Sequence, residues 1–131
     1  MKHTQEFTSD ARSVAAARHL AVKTVHDASP EVREALELMV SELATNSIRH
    51  AGTGFAMTIS RRSGMIRVEV TDPSGGRPRP RSPGPEEPTG RGLRIVEMLS
   101  DAWGVDAGSG PGKTVWFTLG AGPRRSRAVS A

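Results

Sequence analysis

Glu42 and Asn46 stand at i and i+4 within residues 29–51 (SPEVREALELMVSELATNSIRHA), a segment with helical spacing. Side chains so spaced stack on one face of a helix. That face also carries Val32, Ala35, Met39 and Leu43, while Arg33, Glu34, Glu37, Ser41 and Thr45 lie opposite. A carboxylate and an amide therefore point toward the core side. Burying an unpaired carboxylate is costly, so a polar and preferably cationic group is expected to meet them. The chemistry open to such a pair is specific. An amide oxygen is a hard ligand suited to Mg²⁺, which keeps several waters and takes few protein ligands. A neighbouring carboxylate can accept a proton from an attacking hydroxyl or water.

Three further elements fall at junctions of the chain pattern: Asp72-Pro73-Ser74-Gly75-Gly76, Gly90-Arg91-Gly92, and the glycine-rich run 108–112. An acid at a strand end can accept a hydrogen bond from the exocyclic amine of adenine, and would meet an acceptor on guanine instead. Glycines before a helix let backbone N–H groups and the helix N-terminus approach phosphate. Taken singly, each element has a plainer account. Asp72 to Gly76 is a good turn, Asn46 a satisfied core amide, His50 a helix-end residue. Their order and spacing together point to a Mg·nucleotide site.

The elements that must position these groups follow from periodicity. Residues 4–9 read as a short strand and 10–27 as a helix through Val14, Ala17, Leu20, Ala21 and Val25. Ser29-Pro30 opens the second helix with a cap and a first-turn proline. Strands are expected at 55–61 and 65–72, joined by a two-residue turn at Ser63-Gly64. Residues 73–89 hold six of the nine prolines and no periodicity, and read as a long loop. A short helix is expected at 92–100, then strands at 102–107 and 113–119 carrying Trp103 and Trp116 as core or interface residues. The order (β)ααββ–loop–αββ implies an α+β two-layer sandwich, with a mixed, mostly antiparallel sheet and about three helices on one face. Residues 1–119 are expected to form one domain and 120–131 a disordered basic tail.

Composition narrows the function classes. With 131 residues the chain suits one domain with one core and one cleft. It has no cysteine, so neither a disulfide framework nor a thiolate metal site is available. The first residues lack an uninterrupted apolar run, and no stretch approaches a membrane span, so a cytoplasmic, membrane-free protein is expected. The formal net charge is +4, with Arg77, Arg79, Arg81, Arg91 and Arg94 after residue 72 and Arg124, Arg125 and Arg127 in the tail. A nucleic-acid binder would use these arginines. The few aromatics, with no tyrosine, speak against it.

On Ser41 to His50, Asp72, Gly76, Gly90, Gly92 and Gly112, the sequence resembles the GHKL (Bergerat-fold) ATPases from about Phe7 to Leu119. Within them it is similar to the small bacterial anti-sigma factor serine kinases. The resemblance implies Glu42 as general base and Asn46 as the Mg²⁺ ligand. It implies Asp72 as the acid that reads adenine, with Gly76 on a matching glycine. Gly90 and Gly92 would be the glycines on the phosphates, with Leu93 beside them, and Gly112 falls near the glycine that precedes the family's last strand, with Thr114 toward the base. By its position alone, Arg91 could add a phosphate contact through its guanidinium fork. Arg18 lies on a segment such proteins use for docking. ATP and Mg²⁺ are the implied cofactors. The implied partners are an RNA polymerase sigma factor and a STAS-type anti-anti-sigma protein, with a homodimer expected. The implied activity is sequestration of the sigma factor and phosphorylation of a serine on the antagonist. The alternative is a non-catalytic or nucleotide-independent interaction module of the same fold. Three departures stand out: Ser74 replaces the first glycine of D-x-G-x-G, Lys113 separates Gly112 from Thr114, and the proline-rich loop 77–89 is short for an ATP lid. A histidine-kinase-like catalytic domain is disfavoured, because no dimerisation helix with a phospho-acceptor histidine precedes residue 10.

Residues 107–114 (AGSGPGKT) also fit a permissive Walker A pattern. A P-loop needs a helix directly after Lys-Thr. Val115-Trp116-Phe117-Thr118-Leu119 reads as a strand, so the P-loop reading is set aside.

Overall fold

In the computed structural model, residues 1–51, 54–72, 88–106 and 112–121 are described. Local chemistry starts each helix. Asp10 accepts from the backbone N–H of Arg12 at 2.8 Å and caps α1 (Ala11–Thr24). Ser29 Oγ accepts from Val32 N at 3.2 Å, and Pro30 opens α2 (Pro30–Ala51). Before them runs β1 (Lys2–Phe7), two residues earlier than the expected strand at 4–9.

The strands follow as β2 (Phe55–Arg62) and β3 (Met65–Asp72). Their two-residue turn has φ of 52° at Ser63 and 79° at Gly64, the left-handed pair that matches strand twist. Then come α3 (Pro88–Leu99), β4 (Ala102–Asp106) and β5 (Lys113–Gly120). Helix α3 begins four residues before the expected start. The apolar period becomes readable only at Leu93, but Pro88 suits a first helical turn, where its missing N–H costs nothing. Gly90, Arg91 and Gly92 therefore lie in the opening turns of α3. The strand from Lys113 onward excludes a P-loop there.

The sheet order is β1-β2-β3-β5-β4, and every pairing among the described strands is antiparallel. Rows of opposed residues run across it. Val68, Phe117 and Trp103 form one row, and Val70, Val115 and Val105 the next. Ile59, Val68, Phe117, Ile66 and Leu119 are fully buried under the helix layer. Helix α2 lies between α1 and α3 and presents Val32, Leu36, Met39 and Val40 to the sheet. Each such side chain contributes about 1.5–3 kcal/mol, so packing rather than helix propensity holds α2 in place. The opposite sheet face is polar: Thr71 and Thr114 share a hydrogen bond of 2.9 Å, and Arg67 lies 4.5 Å from the Trp116 ring. Trp103 meets its core assignment, partly buried against the main cluster. No described helix is long and apolar enough to cross a membrane.

An ion pair ties the turn between α1 and α2 to the sheet. Arg61 donates to both oxygens of Asp27, at 2.6 and 3.1 Å. These hydrogen bonds hold the Asp27 carboxyl below its ordinary 3.8. A depressed carboxyl stabilises the fold above the unfolded-state value and loses that contribution as pH falls through the lower folded-state value. Because the pair is exposed, the effect is small. Asp27→Asn is expected to lower Tm slightly at pH 7 and to match wild type once the pH lies below both values. Thermal melts followed by circular dichroism across pH check this.

Candidate functional site

Alternation along β3 places Ile66, Val68, Val70 and Asp72 on the helix-facing side, and each is buried. The acid thus continues an apolar row and ends it inside the fold, 8 % exposed. Lys113 is its direct partner in register on β5. Opposed residues have Cβ atoms about 4.5–5.5 Å apart. Helices α2 and α3 cover this end of the sheet, and a cleft opens between the layers. Val70, Val115 and Val105 make its floor, Leu43 and Leu93 its helix side, and Asn46, Ser47, Asp72 and Lys113 its polar groups. The enclosed volume is about 70 Å³. Sites for drug-sized ligands run to about 300 Å³ and more. Residues 73–87 and 107–111, which join the ends of β3, α3, β4 and β5, lie outside the described residues.

Asn46 and Asp72, predicted as ligand and base reader, therefore line one cleft although 26 residues apart in sequence. Asn46 is half-buried at the edge of the apolar stripe of α2, and its neighbour across the helix interface is Gly92. A Cβ at Gly92 would overlap the Asn46 side-chain nitrogen and sit 3.4 Å from its Cγ. The glycine thus makes room for the amide itself, a role the phosphate-loop reading did not contain. Leu93 lines the cleft. Gly90 and Arg91 lie in the first turn of α3. Gly112 directly precedes β5 and is half-buried. Glu42 lies one turn before Asn46, half-buried and outside the ring of cleft-lining residues. Lys113, a cation, lines the cleft with Asn46. Gly76 and Ser74 lie outside the described residues, as do most of the glycine-rich run and the tail from 122.

Thr114 requires a correction. It faces away from the cleft, on the opposite sheet face, with its hydroxyl on Thr71 at 2.9 Å. Lys113, inserted before it, takes the cleft-facing position. The signal was present in the sequence: Lys113, Val115, Phe117 and Leu119 alternate with Thr114, Trp116 and Thr118, so the lysine shares the core face. Ser47, buried beside Asn46, was also missed. Arg18 is not among the cleft-lining residues. Its guanidinium lies 3.5 Å from Ser41 Oγ and 3.8 Å from Glu37, bridging α1 and α2 at the surface.

A cleft between a helix layer and an antiparallel sheet, with an acid at a strand end and an amide on the facing helix, characterises this two-layer α+β domain. The chain belongs to the histidine kinase-like ATPase domain family, whose model matches residues 7–119. No curated protein matches it. Among solved structures, the RsbU and RsbW domains of Rv1364c from Mycobacterium tuberculosis align over 97 % of this chain and 34 % of theirs. The identity is 17 % and the TM-score 0.73. Full-length ShkA in complex with AMPPNP aligns over 88 % of this chain and 31 % of its own, at 22 % identity and TM-score 0.54. The catalytic domain of histidine kinase ThkA aligns over 93 % and 99 %, at 15 % identity and TM-score 0.54. The chain thus spans about a third of the first two proteins, and at these identities the likeness is one of fold.

Proposed function

We propose that this chain is a cytoplasmic, ATP-binding anti-sigma factor that sequesters an RNA polymerase sigma factor and phosphorylates a serine on an anti-anti-sigma protein. The observation that carries the nucleotide reading is the convergence of Asn46, Asp72 and Leu93 on one cleft between α2, α3 and the sheet. Membership of the ATPase family and the fold likeness to a chain with an RsbW domain support it. A homodimer is part of the proposal, and neither a membrane nor a nucleic acid is.

The donor set fits a Mg·ATP complex. Among the described residues no cluster of three or more His, Cys, Asp or Glu could cage a metal. A single amide is sufficient for Mg²⁺, which draws its other ligands from phosphates and water. When bound, the ion would neutralise charge on the transferring phosphates. Asn46 would hold it, Asp72 would accept from the adenine amine, and the first N–H groups of α3 would face phosphate. Glu42 would orient the incoming serine hydroxyl and take its proton as oxygen bonds to the γ-phosphorus and ADP departs.

Calorimetric titration of ATP and GTP with Mg²⁺, followed by transfer of labelled γ-phosphate to the antagonist, tests the proposal. Selective ATP binding and serine labelling are expected, whereas absence of ATP binding refutes it. A second reading, a non-catalytic ATP-binding regulator, is favoured by the position of Glu42 outside the cleft lining. It predicts binding without transfer.

Gly92→Ala provides an internal check. Alanine is favoured over glycine in a helix by about 0.5–1 kcal/mol, so Tm should hold or rise. The displaced Asn46 amide should nonetheless cost about tenfold in Mg·ATP affinity. Asn46→Ala should cost the same, and the double variant no more, because both changes remove one interaction. Additive losses would show that Gly92 acts elsewhere.

A further inference from the structure

We infer that Lys113 reads the nucleobase together with Asp72, donating a hydrogen bond to the purine ring nitrogen beside the exocyclic amine. This rests on the cleft being an adenine-nucleotide site, as proposed above.

Three observations place the lysine there. Lys113 and Asp72 are directly opposed across β5 and β3, and both line the cleft. Thr114 is turned to the other sheet face and held by Thr71, so the next residue of β5 is not available to the base. Lys113 is also the only cation among the described cleft-lining residues.

Chemical complementarity identifies what the pair recognises. An ionised carboxylate only accepts hydrogen bonds and an ammonium only donates them. Side by side, they match an edge with a donor next to an acceptor. Adenine has that edge: the exocyclic N6 amine donates and ring N1 accepts. In the same orientation guanine puts an acceptor, O6, against Asp72 and a donor, N1–H, against Lys113. Both contacts then oppose like with like, so the lysine adds a second point of rejection to the one the acid supplies. The alternative use of Lys113, as a phosphate anchor, is disfavoured by its neighbour. A carboxylate in register with it repels an anion, and the pair leaves this end of the cleft close to neutral, as an uncharged base requires. Leu93, one turn into α3, lines the other wall, and the N–H groups of a first helical turn are better suited to phosphate.

The test compares ATP with 1-deaza-ATP, in which N1 is replaced by C–H, on wild type and on Lys113→Met, each by calorimetry with Mg²⁺. Methionine keeps an unbranched apolar stem, and Tm reports whether the variant is folded. Wild type should bind ATP about tenfold or more tightly than 1-deaza-ATP, the expected size of one charge-assisted hydrogen bond. Lys113→Met should bind both nucleotides alike, at the wild-type affinity for 1-deaza-ATP. Equal weakening of both nucleotides by Lys113→Met would overturn the inference and assign the lysine to phosphate or strand support. So would a wild type indifferent to N1, a comparison that needs no variant to fold. If Asp72→Asn still weakens ATP in that case, the adenine site stands and only the role of Lys113 falls. If wild type binds neither nucleotide, the adenine-site reading fails and the inference with it.

Discussion

Glu42→Gln is expected to slow phosphoryl transfer to the antagonist serine by about 10²–10⁴-fold, the usual contribution of a positioned general base. ATP affinity should change by no more than about twofold, well inside what one lost hydrogen bond would cost. The split follows from position. Glu42 precedes Asn46 by one turn of α2 and stands outside the residues that line the cleft. Removing its charge should therefore leave the base and phosphate contacts intact. Glutamine preserves size and polarity, so its half-buried site should still pack. Single-turnover transfer of labelled γ-phosphate, paired with calorimetry, separates the two effects. Unchanged transfer would remove Glu42 from the chemistry. Transfer absent already in wild type, with ATP bound, would establish the non-catalytic reading.

Asp72→Asn is expected to weaken ATP about 10- to 100-fold, corresponding to the ~1.5–3 kcal/mol of a hydrogen bond to a charged group. Asp72 is 8 % exposed at the end of an apolar row, so water cannot readily replace what it supplies. The asparagine can also present a donor, which guanine O6 accepts. Discrimination between ATP and GTP should therefore narrow as ATP affinity falls. Calorimetry with both nucleotides reads this directly. A loss of ATP affinity with a parallel fall in Tm, and no change in the ATP/GTP ratio, would show that Asp72 acts on the fold and not on the base.

Much of this architecture is legible in the sequence because its signals are local. Ser29-Pro30 marks a helix start that needs only its own side chain and ring. Ser63-Gly64 marks a hairpin because its backbone must turn left-handed twice. The alternation of Ile66, Val68 and Val70 locates β3 and aims Asp72 inward. The start of α3 was not legible, since Pro88 to Gly92 contains no apolar residue to set a period. Thr114 differs for another reason: the family pattern would bring it to the base, whereas strand alternation puts Lys113 on the cleft face and Thr114 on the other.

The sequence by itself determined the element types, most of their boundaries, and the identity of the acid and amide. Those depend on caps, turns and periods within a few residues. The tertiary structure alone decided that Asn46 and Asp72 meet, that Gly92 makes room for Asn46, and that Lys113 stands opposite Asp72. These relations arise between segments distant in the chain. They depend on the register of β3 with β5 and the approach of α3 to α2, which packing sets and no local pattern encodes.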